Sequence, residues 1–174
     1  MSLVSWHEAA ISKEYDRNAF DCGDPALNDF LQKHARKSHD KGGAKTFLAI
    51  SNTDNSILGY YSLSPASVEH ARVPEIARRG LGRYDVPGFR LARLAVALKM
   101  QKRGLGGQLL LSAARRCIRA STEVGGTALL TDAKNERVAA WYASYGAMQL
   151  LDEPLSLLLP LAAIAKLLQE TGKL

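Results

Sequence analysis

The chain is short of cysteine, histidine and aromatic residues. There are two cysteines and four histidines in 174 residues, and aromatics make up 7%. Cys22 and Cys117 sit in no metal-ligand or CxxC spacing, so neither a disulfide framework nor a zinc site is expected, and both read as buried reduced thiols. No apolar run approaches the roughly 20 residues needed to cross a bilayer. The longest, LSLLLPLAAIA, is interrupted by Pro160. The opening MSLVSWHEAA lacks a basic stretch leading into an apolar one, so no signal peptide is read and a cytoplasmic protein is expected. No internal repeat or low-complexity segment is found.

What is there is a real core and an excess of cations. Apolar residues make up 47% of the chain, and the formal charge is +6. The length fits one domain spanning residues 1–174. The charge favours an anionic partner, and the cations cluster in KHARKSHDKGGAK and in EHARVPEIARRGLGRYDVPGFRLAR. Each cluster reads equally well as a solvated face.

The periodicities alternate. LVSWHEAA reads as a strand. Asp24 caps a helix that Pro25 opens, with Leu27, Phe30, Leu31, His34 and Ala35 on its apolar stripe and Gly42 and Gly43 at its end. His34 is expected to pack at that helix boundary. KTFLAIS and SILGYYSLS form a hairpin around NTDN. A long connection over residues 64–88 carries a short helix near Pro74 to Arg79. FRLARLAVAL is a central strand. Gly104 to Ser121 is a helix with Leu109, Leu110, Ala113, Ala114, Cys117 and Ile118 on its inner face. GGTALLTDA is a strand, NERVAAWYASYG a helix ended by Gly146, AMQLL and EPLSLLLP a strand pair, and LAAIAKLLQE a closing helix. The result is an α/β domain: a mixed sheet of about six or seven strands flanked by helices.

MQKRGLGGQLL stands at the junction between the central strand and its helix. Three glycines allow close backbone approach, the first helical N–H groups lack internal acceptors, and Lys102 and Arg103 add charge. That is an anion site. It is neither a Walker loop nor a Rossmann fingerprint. Taken alone, it also reads as a tight strand-to-helix turn.

Gln101, Gly104 and Gly106 spell Q-x-x-G-x-G directly after RLAV, which resembles the acetyl-CoA pyrophosphate loop of the GNAT N-acetyltransferase family. The element order resembles that fold too, and WYASYGA, Trp141 to Ala147, resembles the family's FYxxxGF. FDCGDPALNDFLQKHA, VPGFRLARLAV and LLLPLAAIAKLL further resemble GNAT toxins of type II toxin–antitoxin systems. The resemblance covers essentially the whole chain. It implies transfer of acetyl from acetyl-CoA to the α-amine of aminoacyl-tRNA, which blocks translation. It also implies a homodimer neutralised by a ribbon-helix-helix antitoxin, with operator DNA met only through the antitoxin, and no metal or membrane involvement.

Site residues follow from the same resemblance. Tyr142 matches the acid that protonates the leaving thiolate, with Tyr145 as its neighbour and rival. Tyr145 and Ala147 depart from the family's usual aliphatic and Phe. Leu94, Ala95 and Val96 match the strand that pairs with pantetheine. Gln101, Lys102, Arg103, Gly104, Gly106 and Gly107 surround the pyrophosphate. Asn135 either caps its helix or touches the cofactor. Candidate tRNA contacts are Arg36, Lys37, Arg78, Arg79, Arg83, Arg90 and Arg93, with Lys41 and Lys45 beside them. Arg93 is expected to alternate with the buried residues of its strand. No general base is named, because all four histidines lie outside the motifs and the α-amine of an ester needs none. Two other readings stand beside this one. The first is a GNAT enzyme acting on a small amine or a protein N-terminus, against which six arginines facing only Glu75 and Asp85 across residues 71–93 argue. The second is a scaffold without catalysis, which would not bind coenzyme A.

Overall fold

The computed structural model describes residues 4–172. Its strands are β1 (Trp6–Ala10), β2 (Lys45–Ser51), β3 (Ile57–Val68), β4 (Val86–Val96), β5 (Ala128–Asp132), β6 (Met148–Leu150) and β7 (Glu153–Pro160). Its helices are α1 (Pro25–Asp29), α2 (Ala35–Asp40), α3 (Glu75–Arg78), α4 (Leu105–Val124), α5 (Glu136–Ala143) and α6 (Leu161–Glu170). The strands form one mixed seven-stranded sheet in the order β1-β2-β3-β4-β5-β7-β6. β4 is central, as its apolar sequence predicts. β4 and β5 run parallel, while β1–β2, β2–β3, β5–β7 and β6–β7 are antiparallel.

Two compact units can be traced. One holds the chain up to Ser64 together with Ala92–Ala113. The other holds Pro65–Leu91 and the chain from Ala114 onward.

In the first unit the core gathers around Tyr60 on β3. Its ring meets Phe20 edge-on, with centroids 5.6 Å apart, and stacks on Phe30 at 6.4 Å. Its buried hydroxyl donates to the Leu27 carbonyl at 2.7 Å, so a large ring is buried without stranding its polar tip. Asp24 caps α1 by accepting from the Ala26 N–H, with Pro25 at the first helical position.

α1 and α2 do not form the single regular helix read from the sequence. Phe30–His34 is a π-turn, in which the Ala35 N–H bonds the Phe30 carbonyl five residues back. The wider turn moves the stripe from an i+4 to an i+5 spacing. Phe30, Leu31 and Ala35 stay buried, but His34 swings outward, and its side chain is 64% exposed with Nε2 3.7 Å from Asp29. The expected packing role of His34 is therefore replaced by a surface position. β3 also runs further than SILGYYSLS, through Pro65 to Val68.

The second unit packs Val68, Val73, Val86, Ala128, Leu130, Leu150 and Leu158 into one cluster. β4 meets β5 at Gly88↔Ala128, Phe89↔Leu129 and Arg90↔Leu130. Glycine is required in that first pair, because a Cβ on Gly88 would lie 2.3 Å from the Ala128 carbonyl oxygen. Pro160 ends β7 and serves as the N-cap of α6, which buries Leu161, Ile164 and Leu168.

Candidate active site

In the first unit, the chain leaves β4 through a short 3-10 turn, Leu98–Met100, and enters the glycine-rich loop. Lys102 and Gly104 both take left-handed backbone, with φ of 63° and 89°. Gly104 does so at no steric cost, whereas Lys102 carries the strain of a Cβ in that region. Nothing lies within 4 Å of where a Gly104 side chain would sit, so its backbone is open to a ligand. The first α-helical bond of α4 joins the Gln108 N–H to the Gly104 carbonyl. The N–H groups of Leu105, Gly106 and Gly107 precede it, where no carbonyl one turn back can accept them. Lys102 is exposed and Arg103 half-buried beside them. These residues fit a diphosphate: bare backbone donors, a helix start and two cations.

Gln101 does something the motif does not announce. Its side-chain amide donates to the carbonyls of Cys22 at 2.8 Å and Val96 at 2.9 Å. Both donor hydrogens are thus used to fix the loop to the end of β4 and to the segment before α1. Gln101 holds the loop in shape and leaves the backbone N–H groups as the donors open to an anion. Ala95 is buried and Leu94 and Val96 are half-buried. Gly59 lets β3 approach the Ala95 carbonyl, where a Cβ would come within 2.8 Å.

In the second unit, α5 presents Tyr142. Asn135 caps the helix, its side chain accepting from the Val138 N–H at 3.0 Å. The capping role expected of Asn135 is thus made. Tyr142 is 6% exposed, with Trp141 edge-on at 4.9 Å. Its hydroxyl hydrogen-bonds with Thr131 on β5, and the Thr131 hydroxyl donates to the Leu91 carbonyl at 3.1 Å. Burial raises the phenol's pKa above its ordinary value, and the Thr131 bond offsets this in part. Tyr142 therefore stays protonated at neutral pH. Tyr145 is half-buried with its ring on Trp141 at 5.2 Å. Thr131 was not singled out from the sequence.

The cations sort into paired and open ones. Arg36 bonds Asp40 at 3.4 Å and Arg90 bonds Asp132 at 3.0 Å, while the Ser156 hydroxyl takes the other Asp132 oxygen at 2.7 Å. Lys45 donates to the His39 carbonyl. Arg93 does not alternate with the buried residues of β4. It shares parity with Leu91 and Ala95, and its guanidinium carbon lies 3.6 Å from the centre of the Phe30 ring. A cation over an aromatic face is held there, which an outward-pointing strand residue would not be. Lys37, Lys41, Arg79 and Arg83 are exposed and Arg78 is half-buried.

Both cysteines are free and buried, at 8% and 1% exposure for Cys22 and Cys117. Burial pushes the Cys22 thiol up, and the Cys117 thiol up to about 12. The thiolate is the reactive form. Ellman's reagent at pH 8 is accordingly expected to leave the native protein unlabelled over minutes and to titrate both thiols once urea unfolds it. Among the described residues, no group of three or more His, Cys, Asp or Glu side chains could hold a metal ion. No helix among them is long and apolar enough to cross a membrane.

No family model matches the chain. It is 37% identical over 149 residues to the tRNA-acetylating toxin of Mycobacterium tuberculosis (strain ATCC 25618 / H37Rv), covering 86% of this chain and 88% of that one. Among solved structures, it is similar to AtaT complexed with acetyl-methionyl-tRNAfMet, with a TM-score of 0.87 and 28% identity over 94% of this chain and 99% of that one. It is also similar to a mutant AtaT bound to the C-terminus of the antitoxin AtaR and acetyl-CoA, with a TM-score of 0.79 and 28% identity over 93% and 97% of the two chains. An α/β sheet of this order, a diphosphate-ready loop and a buried protonated tyrosine accompany that likeness, and the chain belongs to the GNAT-type tRNA-acetylating toxins.

Proposed function

We propose that this protein is an acetyltransferase toxin, acting as a single domain over residues 1–174, that moves acetyl from acetyl-CoA to the α-amine of aminoacyl-tRNA. Acetyl-CoA supplies the thioester. The backbone of Gly104, Gly106 and Gly107, with Lys102 and Arg103, holds its diphosphate, and Gln101 keeps that loop in shape. Leu94, Ala95 and Val96 offer the strand backbone along which pantetheine lies. The neutral α-amine forms the new C–N bond as the C–S bond breaks. Tyr142 gives its proton to the departing sulfur, and the nitrogen's extra proton goes to solvent. A thiol of pKa about 8.5 leaves poorly as a bare anion at neutral pH, so a phenol held protonated assists its departure. Exposed Lys37, Arg79 and Arg83, with Arg78, hold tRNA phosphates, a salt-dependent and largely sequence-blind contribution.

The single observation that carries this reading is Tyr142 itself: buried, hydrogen-bonded to Thr131 and shifted toward the protonated form. The protein works in the cytoplasm as a homodimer and is neutralised by a ribbon-helix-helix antitoxin, through which alone it meets operator DNA.

The test is radiolabelled acetyl-CoA with total charged tRNA. Label is expected in aminoacyl-tRNA and, after mild alkaline release, in an N-acetyl amino acid. Binding of acetyl-CoA without labelling of any charged tRNA would remove the toxin function and leave an acetyltransferase of another amine.

A further inference from the structure

The segment between β3 and β4 carries an aromatic side chain with no structural task. Tyr84 is 87% exposed, the most exposed of the large hydrophobic residues. Its ring lies by Gly82, where an added Cβ would stand 3.6 Å from the ring edge, and its hydroxyl makes no hydrogen bond among the described residues. Two exposed arginines stand near it in the chain, with exposed Asp85 directly after it. Arg83 precedes it and Arg79 lies five residues back, both exposed. Gly80 takes φ +79° and nothing crowds it, which gives an open turn between the two arginines.

An exposed ring beside open, exposed arginines is the makeup of a surface for single-stranded nucleic acid. Arginines meet successive phosphates and the ring stacks on an unpaired base, whose π-face is available whatever its identity. A duplex offers no such face, because its bases are already stacked. Charged tRNA has unpaired bases at the very end that carries the amino acid.

Resting on the function proposed above, we propose that Tyr84 stacks on an unpaired base of the 3′ end of aminoacyl-tRNA and so places the acceptor strand, while Arg79 and Arg83 hold its phosphates. Tyr84 is a positioning residue and takes no part in proton transfer.

The experiment compares wild type, Tyr84→Ala, Tyr84→Phe and Arg83→Gln in steady-state acetylation of charged tRNA at several salt concentrations, with acetyl-CoA binding measured in parallel. Tyr84→Ala is expected to raise KM for charged tRNA about thirtyfold, the middle of the range for one stacked base. Its kcat, acetyl-CoA affinity and salt slope are expected to stay put. Tyr84→Phe, which keeps the ring, is expected to restore KM. Arg83→Gln is expected to flatten the plot of log affinity against log salt by roughly 0.7 for one phosphate lost from a single strand. Wild-type KM in Tyr84→Ala would overturn the proposal, whether or not that variant weakens a protein partner. A Phe variant as weak as Ala would overturn it too, since the hydroxyl would then be the contact. If wild type acetylates no charged tRNA, the function itself fails before Tyr84 is tested, and the two failures are distinct.

Discussion

Replacing Tyr142 with phenylalanine is expected to lower kcat for charged-tRNA acetylation by about 10²–10⁴-fold, the usual contribution of a positioned acid. The ring stays, so its packing against Trp141 and the α5 core is kept. What goes is the hydroxyl and its bond to Thr131, a net loss of about 1 kcal/mol. Thr131 is not stranded, because it still donates to the Leu91 carbonyl. The protein is therefore expected to fold, to melt within a few degrees of wild type, and to bind acetyl-CoA as before. Calorimetric titration with acetyl-CoA beside steady-state kinetics separates these effects. A variant that keeps more than a tenth of wild-type kcat would show that the thiolate takes its proton elsewhere, with Tyr145 the next residue to change.

The largest effect on stability is expected from one added methyl group. In Gly88→Ala the new Cβ would meet the Ala128 carbonyl oxygen at 2.3 Å and its carbon at 3.2 Å. Neither neighbour can give way cheaply, because Ala128 pairs with Gly88 on one side and with Pro160 on the other. Overpacking of this kind costs about 3 kcal/mol or more. At this chain length that lowers the melting temperature by roughly 6–12 °C. Gly80→Ala is the control. Its φ is +79° with open space around it, so it carries only backbone strain of about 1 kcal/mol. Urea unfolding midpoints of the two variants are expected to differ clearly, with Gly88→Ala the weaker. Equal midpoints would mean that β4 and β5 do not approach as closely as described.

Element types and order were readable because most of them repeat cleanly at a period of 2 or 3.6, and capping residues such as Asp24 and Asn135 mark their starts. The glycine loop was readable because its chemistry needs residues without side chains. The misses have a common cause: each depends on a neighbour distant in the chain or on a local departure from the regular period. The π-turn at Phe30–His34 adds a residue to one turn, so a stripe counted at 3.6 puts His34 on the wrong side. Arg93 looks like an outward cation until Phe30 is seen beneath it. The bonds that tie the Gln101 amide to the carbonyls of Cys22 and Val96 are invisible in the motif. Pro65 reads as a strand end, yet β3 continues past it to Val68. Thr131 has no motif at all, and only the Tyr142 hydroxyl gives it meaning.

The division of the chain between the two units bears on how the protein can be broken and made. The first unit takes the chain up to Ser64 and then Ala92–Ala113, and the second takes Pro65–Leu91 and then the chain from Ala114 onward. The two units therefore alternate along the chain without sharing a residue, and β3 and β4 each have one end in either unit. On the ribosome, the first unit has all of its chain once Ala113 has emerged, while the second still waits for β5, β7 and α6. A single cleavage beside exposed Tyr84 would split the second unit's Pro65–Leu91 segment and leave the first unit's two segments on opposite fragments. Neither fragment would hold all of either unit, so the protein is not expected to be made from two halves that fold separately.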